Sequence, residues 1–367
     1  MTNFEKQKDE YFMLECLSLA RKGIGLVSPN PMVGAVIVKK GRVIGRGYHH
    51  YFGGPHAEVN AIANSTESVK GSTVYVNLEP CNIFGKTPPC TDLLILKGIK
   101  RVVIGSLDPN PLVKGKGVKQ LRKAGIDVQT DLLGDECRKL NEVFENFITT
   151  HLPFVTLKIA QTLDGKIADS NYRSRWISNK TSRELVYKLR SQYDAVLVGA
   201  KTIIKDNPEL TSHSTGKRNP IRIVLDGNFN CSSKATVFND NKSKTFLVIT
   251  KRAAKINHKK KEEFKDKEVN IVELSGNTAG QISTHRLLKY FGTIGISSIL
   301  VEGGANIFSR FVQEKSADKL LMFVAPKLLG SGIFSFNLNI KDINKSVRLK
   351  NINNFMLEDD LVLEGYF

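Results

Sequence analysis

The chain has 367 residues, 41% of them apolar and 25% charged, with a net charge of +18. That length calls for two or three domains, and the apolar share fills ordinary globular cores, which excludes a disordered chain. Five scattered cysteines exclude a disulfide framework. The absence of an apolar run of about 18 residues excludes a membrane-spanning helix.

The first residues, Met1-Thr2-Asn3-Phe4-Glu5-Lys6, lack the apolar stretch of a signal peptide, so a cytoplasmic location is expected. The basic excess is unequal: residues 1–150 carry 20 Lys+Arg against 15 Asp+Glu, and the rest carry 34 against 21. Nucleic acid or an anionic small substrate would each fit such a balance. Much of the excess lies in 251–267, where lysines alternate with Glu262, Glu263 and Asp266 and no aromatic platform is interleaved. That pattern reads as a solvated face, not a single-strand binding track.

Apolar Phe12, Met13, Cys16, Leu17, Leu19 and Ala20 recur near helical spacing and predict a first helix over 9–22. Strands follow over 33–39 and 42–48, around the Lys40-Gly41 turn. A helix is predicted over 56–64, a buried strand over 72–78, a helix over 91–97 and a strand over 101–106. Another helix spans 118–124, a short strand 127–130, and one helix 135–147. Helices alternating with strands predict a three-layer α/β domain over residues 1–150. A second α/β domain, residues 151–367, restarts with a strand over 154–159. It continues with a helix over 182–193 and strands over 195–198, 221–225, 245–249, 299–301, 320–325 and 361–365. A helix begins at Ala305.

The stretch from His56 to Cys90 carries the first chemistry. His56-Ala57-Glu58 is followed by Pro80-Cys81 and, after eight residues, by Cys90. One imidazole and two thiolates form a three-ligand zinc site that leaves a fourth position for water. Zinc acidifies water toward neutral pH. Glu58, two residues after His56 on a helix, faces a different direction and suits a general acid/base beside the metal. This is the logic of the zinc nucleobase deaminases, with a longer spacer between the cysteines. Cys16, Cys137 and Cys231 read as buried residues or free thiols.

In the second half, a strand, Gly303-Gly304 and then a helix outline a phosphate site, because glycine admits close backbone approach and a helix start offers unpaired N–H groups. The same pattern also serves as a plain strand-to-helix turn. G-x-G-x-x-G is absent, so a Rossmann fold is not supported. Trp176, the only tryptophan, fits either core packing or a cofactor groove. Arg190 on its helix fits either an anion contact or a solvated face. Asp206 fits a turn start.

These residues carry a resemblance. Asn30-Pro31 with Val33-Gly34-Ala35-Val36, His56-Ala57-Glu58, Leu78-Glu79-Pro80-Cys81, Gly85-Lys86-Thr87-Pro88-Pro89-Cys90 and Asp108-Pro109-Asn110-Pro111 match the first half of one family. Leu163-Asp164-Gly165-Lys166, Trp176-Ile177, Asp206-Asn207-Pro208 with Leu210-Thr211, Val301-Glu302-Gly303-Gly304 and Ala325-Pro326-Lys327 match its second half. From end to end the chain resembles the bifunctional riboflavin-biosynthesis deaminase/reductases. The resemblance implies a cytidine-deaminase-like domain followed by a dihydrofolate-reductase-like domain. It implies one zinc per chain and NADPH, a phosphorylated pyrimidine substrate, a homo-oligomer, and neither nucleic acid nor membrane as partner.

Carried over by position, His56, Cys81 and Cys90 hold zinc and Glu58 shuttles protons. Asn30, His49 and Lys86 contact the pyrimidine or its phosphate. Ala160, Trp176, Thr202, Asp206, Gly304, Ala305 and Asn306 match cofactor positions. Ser174, Arg190, Leu210 and Glu302 match substrate positions. The chain departs from the family at Asn82 and Ile83, where Ser-His is usual, at His213, where Arg is usual, and at Thr162, where Ser is usual. Two other readings keep the metal triad: a nucleic-acid deaminase, favoured by the +18 charge, and a non-catalytic protein with structural zinc, which needs a fourth ligand.

Overall fold

Two stretches of alternating and buried strands, each with its own helices, build two separate bodies. The computed structural model describes residues 3–84, 88–213 and 218–367. The chain divides into a unit from Met1 to His151 and a unit from Leu152 to Phe367.

The first unit begins with helix α1 (Asn3–Ala20), then strands β1 (Gly34–Lys39) and β2 (Arg42–Tyr48), helix α2 (Ala57–Ala63) and strand β3 (Thr73–Leu78). Helix α3 (Cys90–Leu96), strand β4 (Arg101–Ser106), helix α4 (Lys116–Lys123), strand β5 (Asp127–Gln129) and helices α5 (Gly134–Leu140) and α6 (Glu142–Thr150) follow. The sheet order is β2-β1-β3-β4-β5. The β1–β2 and β1–β3 pairs are antiparallel, and β3–β4 and β4–β5 are parallel. Apolar side chains on the two sheet faces enter different clusters. Ile37, Val74, Val76 and Ile104 pack under α2, α3 and α4, while Val36, Val38, Tyr75 and Val103 pack with Phe12, Met13, Cys16 and Leu17 of α1. That is the three-layer arrangement, and the two-residue period of strand side chains produces it.

Helix α2 lies hard against β2 because β2 supplies glycines. A Cβ on Gly47 would stand 2.2 Å from Ala61 N and 2.4 Å from Ala57 O. One sequence expectation changes here. The single helix expected over 135–147 is broken at Asn141, whose φ of −105° ends α5 and starts α6. The Asn141 side chain serves the loop instead: Oδ1 accepts from Met32 N at 2.8 Å and Nδ2 donates to Met32 O at 3.0 Å.

The second unit runs β6 (Phe154–Thr162), β7 (Lys166–Ala168), α7 (Lys180–Gln192), β8 (Ala195–Gly199), α8 (Ala200–Asp206), β9 (Ile221–Leu225) and β10 (Thr245–Thr250). It continues with α9 (Lys251–Ile256), α10 (His258–Glu262), β11 (Val269–Leu274), α11 (Thr284–Thr293), β12 (Ser298–Val301) and α12 (Ala305–Gln313). Strands β13 (Lys319–Ala325), β14 (Ile333–Phe334), β15 (Lys350–Leu357) and β16 (Asp360–Tyr366) complete it. The main sheet has the order β11-β10-β9-β8-β12-β6-β13-β16-β15. It is parallel from β11 to β13, and β16 and β15 extend it antiparallel.

The central strands read as unbroken apolar runs because helices cover both faces of a parallel sheet. Leu197, Ile223 and Val248 join one core cluster, and Val196, Val198, Val224 and Leu247 join the other. Strand β15 was not legible as a strand: seven of its eight positions are exposed and its residues do not alternate. Among the described residues no helix is long and apolar enough to cross a membrane.

Candidate active sites

In the first unit, the residues from the H-A-E and P-C motifs meet at the start of two helices. His56 is the residue before α2, in extended backbone conformation. Cys81 follows β3, and Cys90 opens α3. The candidate ligand atoms of His56, Cys81 and Cys90 all lie within 4.8 Å of one another, and the group has these three members among the described residues. His56 Nδ1 is 3.3 Å from Cys90 Sγ and 3.5 Å from Cys81 Sγ. The eight intervening residues return the chain because Cys81 O accepts from Thr91 N at 3.1 Å and from Thr91 Oγ1 at 3.2 Å, while Cys90 N donates to Cys81 Sγ at 3.4 Å.

The donor set fits zinc: one imidazole and two sulfurs, close enough to converge on one ion. The cluster also shares its protons in a way that favours a cation. The Cys81 thiol is pushed down to about 4, first by the Cys90 side chain and then, against burial, by His56. Hydrogen bonding to Cys81 raises the His56 imidazole, and the same Cys81 contact, with burial, raises the Cys90 thiol. Glu58 is 3% exposed. Burial raises its carboxyl, while the His56 charge and the neighbouring Cys90 thiol oppose that. A buried carboxyl held nearer neutrality beside a metal site suits proton transfer in both directions.

Around this cluster, Asn30 and His49 come together. Asn30 Nδ2 is 3.2 Å from His49 Nε2, and His49 Nδ1 is 3.0 Å from Pro55 O. The carbonyl can only accept, so the Nδ1–H tautomer satisfies both contacts, and burial lowers the imidazole further from protonation. The His49 ring stands edge-on to His56, centroids 5.6 Å apart. Lys86 lies outside the described residues. At Asn82, where the family usually has Ser, the amide Oδ1 is buried and finds no hydrogen-bond partner among the described residues.

Glu79 of the L-E-P-C motif, not among the expected site residues, carries the frame beneath. Its Oε2 accepts from Gly115 N at 2.9 Å and Asp108 N at 3.2 Å, and its Oε1 accepts from Val118 N at 3.1 Å. A charged residue two positions before an expected metal ligand was the signal for it.

In the second unit the expected residues gather at the carboxyl ends of β6, β8 and β12. Gly303 is required there: a Cβ would stand 2.7 Å from Val198 Cα on the neighbouring strand. Gly304 has a φ of +65°, and a Cβ on it would stand 4.0 Å from Thr202 Oγ1, so Thr202 faces this turn. Ala305 and Asn306 open α12, and Asn306 lines a cavity of about 380 Å³.

Arg190 is not on a solvated face. Its side chain is 11% exposed, with Nε 2.6 Å from Glu302 Oε1, Nη2 3.0 Å from Oε2, and Nη1 donating to Thr211 O at 3.0 Å. Burial would raise the Glu302 carboxyl, but the Arg190 charge and hydrogen bond hold it below the usual range. Trp176 is not a core residue: it is 61% exposed, with the Arg183 guanidinium 4.5 Å from its ring and its carbonyl accepting from Lys327 Nζ at 3.0 Å.

Burial raises the Asp206 carboxyl, with the Arg175 charge and the neighbouring Ser174 hydroxyl opposing it. Ala160 packs beside Val186 and Phe323. Leu210 is buried with Val196 and Val198, so its side chain belongs to the core. Thr162 keeps the role of a serine, donating to Asp164 Oδ1 at 2.6 Å and accepting from Lys166 N at 3.0 Å. The Asp164 carboxylate in turn accepts from Leu329 N and Gly330 N, tying the L-D-G-K turn to the segment after Ala325-Pro326-Lys327. The His213 ring packs against Tyr187 at a tilt of 51°, centroids 4.5 Å apart.

The residue that sequence reasoning missed is Lys158. Val301 pairs with Leu157 in parallel register, so the next step along both strands sets Glu302 beside Lys158. Burial lowers the ammonium from its usual value, with Glu302 opposing and Arg190 adding to the effect. A lone lysine inside the apolar strand Phe154-Val155-Thr156-Leu157-Lys158-Ile159 was the available signal.

Comparison with known proteins follows this division. Residues 6–106 match the family model described as the cytidine and deoxycytidylate deaminase zinc-binding region. Residues 153–361 match the model of the RibD C-terminal domain. The chain is 44% identical over 361 residues to the riboflavin biosynthesis protein RibD of Aquifex aeolicus, covering 98% of each. A crystal structure of a diaminohydroxyphosphoribosylaminopyrimidine deaminase/5-amino-6-(5-phosphoribosylamino)uracil reductase from Thermotoga maritima is 39% identical, with a TM-score of 0.87 and 99% of each chain covered. Acinetobacter baumannii RibD is 32% identical with a TM-score of 0.86, covering 98% of this chain and 99% of that one.

Proposed function

The chain belongs to the RibD family, bifunctional deaminase/reductases of riboflavin biosynthesis, and from that premise we propose how its two sites divide the work. The substrate of the first is 2,5-diamino-6-(5-phosphoribosylamino)pyrimidin-4-one, which is deaminated to the uracil. The second then reduces the ribosyl side chain to ribityl.

His56, Cys81 and Cys90 hold one zinc per chain. Zinc when bound lowers the pKa of water toward 7, making a nucleophile available at neutral pH. Glu58 takes the proton from the attacking water and delivers it to the departing amine, so one carboxyl serves as base and then as acid. Its burial beside Cys90 supports that role. Asn30 and His49, linked to each other, orient the pyrimidine, and Lys86 meets the phosphate.

In the second unit NADPH supplies the reducing equivalents. Gly304, Ala305, Asn306, Thr202, Asp206, Trp176 and Ala160 form its side of the site, and Ser174, Arg190, Leu210 and Glu302 the substrate side, with Leu210 contributing its backbone. Reducing C1′ of the ribosyl ring breaks the C1′–O4′ bond, and the departing oxygen needs a proton. Lys158 supplies it, because burial makes its ammonium a stronger acid than a solvated lysine. Glu302 holds Lys158 and Arg190 in place, and Arg190 faces the substrate. The enzyme works in the cytoplasm as a homo-oligomer on this small anionic substrate, without nucleic acid.

The observation that carries the deaminase reading is the convergence of three ligand atoms within 4.8 Å with Glu58 buried next to them. Incubation with the pyrimidine phosphate tests both halves. Without NADPH, ammonia and the uracil should appear; with it, the ribityl product. Ammonia release with no NADPH oxidation would refute the reductase assignment.

A further inference from the structure

The strand order of the second unit marks where a ligand can lie. From β8 the chain steps outward through β9, β10 and β11, then returns to place β12 between β8 and β6. The order reverses at the β8–β12 pair, and open parallel sheets leave a crevice at the carboxyl ends of such a pair. The 380 Å³ cavity begins there, at Ala200 and Asn306, and crosses the end of β9 to Asp226 and Asn228. A second cavity, about 300 Å³, continues over the end of β10, lined by Thr250, Arg252 and Thr278. The two share Asn228, Ala279 and Gly280 as a common wall. From β12 to β10 is three strand spacings, roughly 14 Å at about 4.8 Å each. That is too long for a single phosphate or a nicotinamide ring, and suits an extended two-part ligand.

Charge separates the two cavities. In the first, the Arg310 guanidinium is committed to Ile282 O and Glu314, and the Asp226 carboxylate accepts from Cys231 N at 2.7 Å. In the second, no carboxylate lines the wall among the described residues. Arg252 there is exposed and donates through Nη1 to Thr278 O at 3.0 Å. A guanidinium carries five N–H donors in a fork that matches phosphate oxygens.

We propose that, given the NADPH reading above, the adenosine half of the cofactor lies along this groove with its 2′-phosphate in the second cavity against Arg252. Arg252 thereby selects NADPH over NADH. NADH presents a hydroxyl at that place and leaves Arg252 solvated. Discrimination therefore comes from a charge-assisted hydrogen bond that only the phosphate makes, and NADH meets no repulsion there. Such a bond is worth about tenfold to hundredfold in affinity.

The full-length protein and the Arg252→Ala variant are titrated with NADPH and NADH by nicotinamide fluorescence, and with 2′,5′-ADP by calorimetry. The variant should lose about tenfold to hundredfold in affinity for NADPH and 2′,5′-ADP and hold NADH within about twofold. Arg252→Lys should recover part of the loss. Equal losses for NADPH and NADH, or no loss for either, would overturn the proposal. So would a loss of discrimination in Arg310→Ala with none in Arg252→Ala, which would place the phosphate in the first cavity. A wild-type protein that binds neither dinucleotide fails earlier and refutes the reductase reading itself.

Discussion

The two sites are built on opposite plans. The candidate metal ligands of the first unit come from one stretch of 35 residues, His56 to Cys90, and the framing contacts of Glu79 reach only to Val118. The polar cluster of the second unit joins Lys158 on β6, Arg190 on α7 and Glu302 after β12, brought together by strand pairing across 145 residues. A local site shows itself through spacing and residue type. A distributed site depends on which strands become neighbours, and the β6–β12–β8 order is not written in any one segment.

The sharpest way to test this division is to disable one site and watch the other. Glu58→Gln should lower deamination by about a thousandfold or more. Its zinc content and its reduction of the uracil substrate should stay unchanged, as read by ammonia release, metal analysis and NADPH oxidation. Loss of bound zinc would recast Glu58 as part of the frame.

Breaking the distributed cluster should cost stability as well as activity, because its charges are largely withdrawn from solvent. Arg190→Ala removes the hydrogen-bonded partner of Glu302 and leaves Lys158 as its remaining positive neighbour, which should cost about 3 kcal/mol by denaturant unfolding, with a raised KM for the phosphorylated substrate. The double variant Arg190→Met, Glu302→Leu should regain much of the stability and none of the reductase activity. An unchanged KM in the single variant would remove Arg190 from the substrate site.

Lys158→Met keeps the apolar stem and the Arg190–Glu302 pair. It should lower the reductase kcat by about a hundredfold while the melting temperature holds and deamination is unaffected. A change in KM alone would make Lys158 a binding group and not the proton donor.

The smallest effect concerns the frame of the local site. Burial raises the Asp108 carboxyl to about 6, with the Glu79 and Cys81 charges adding to it and Asn110 N opposing. The folded chain then binds this proton more tightly than the unfolded chain. Its contribution favours folding at low pH and is lost as pH rises from about 4 through about 6. Asp108→Asn, which keeps an acceptor for Asn110 N, should be about 1–3 kcal/mol more stable than the parent at pH 7.5 and equal to it near pH 4. A stability difference independent of pH would refute this account.

Residue order alone marked the candidate metal ligands, because one imidazole, two thiols and a carboxylate at that spacing have few other uses, and it determined the buried central strands through their apolar runs. It also marked the Gly303–Gly304 turn, since a Cβ at Gly303 would stand only 2.7 Å from Val198 Cα and the position admits no side chain. Tertiary structure alone decided the rest. Arg190 and Trp176 each had two readings until α7 turned the first toward Glu302 and the loop after β7 left the second exposed. Lys158 became a candidate acid only when β12 paired with β6, because a lysine's acidity is set by the charges and the solvent that distant segments bring to it or take away.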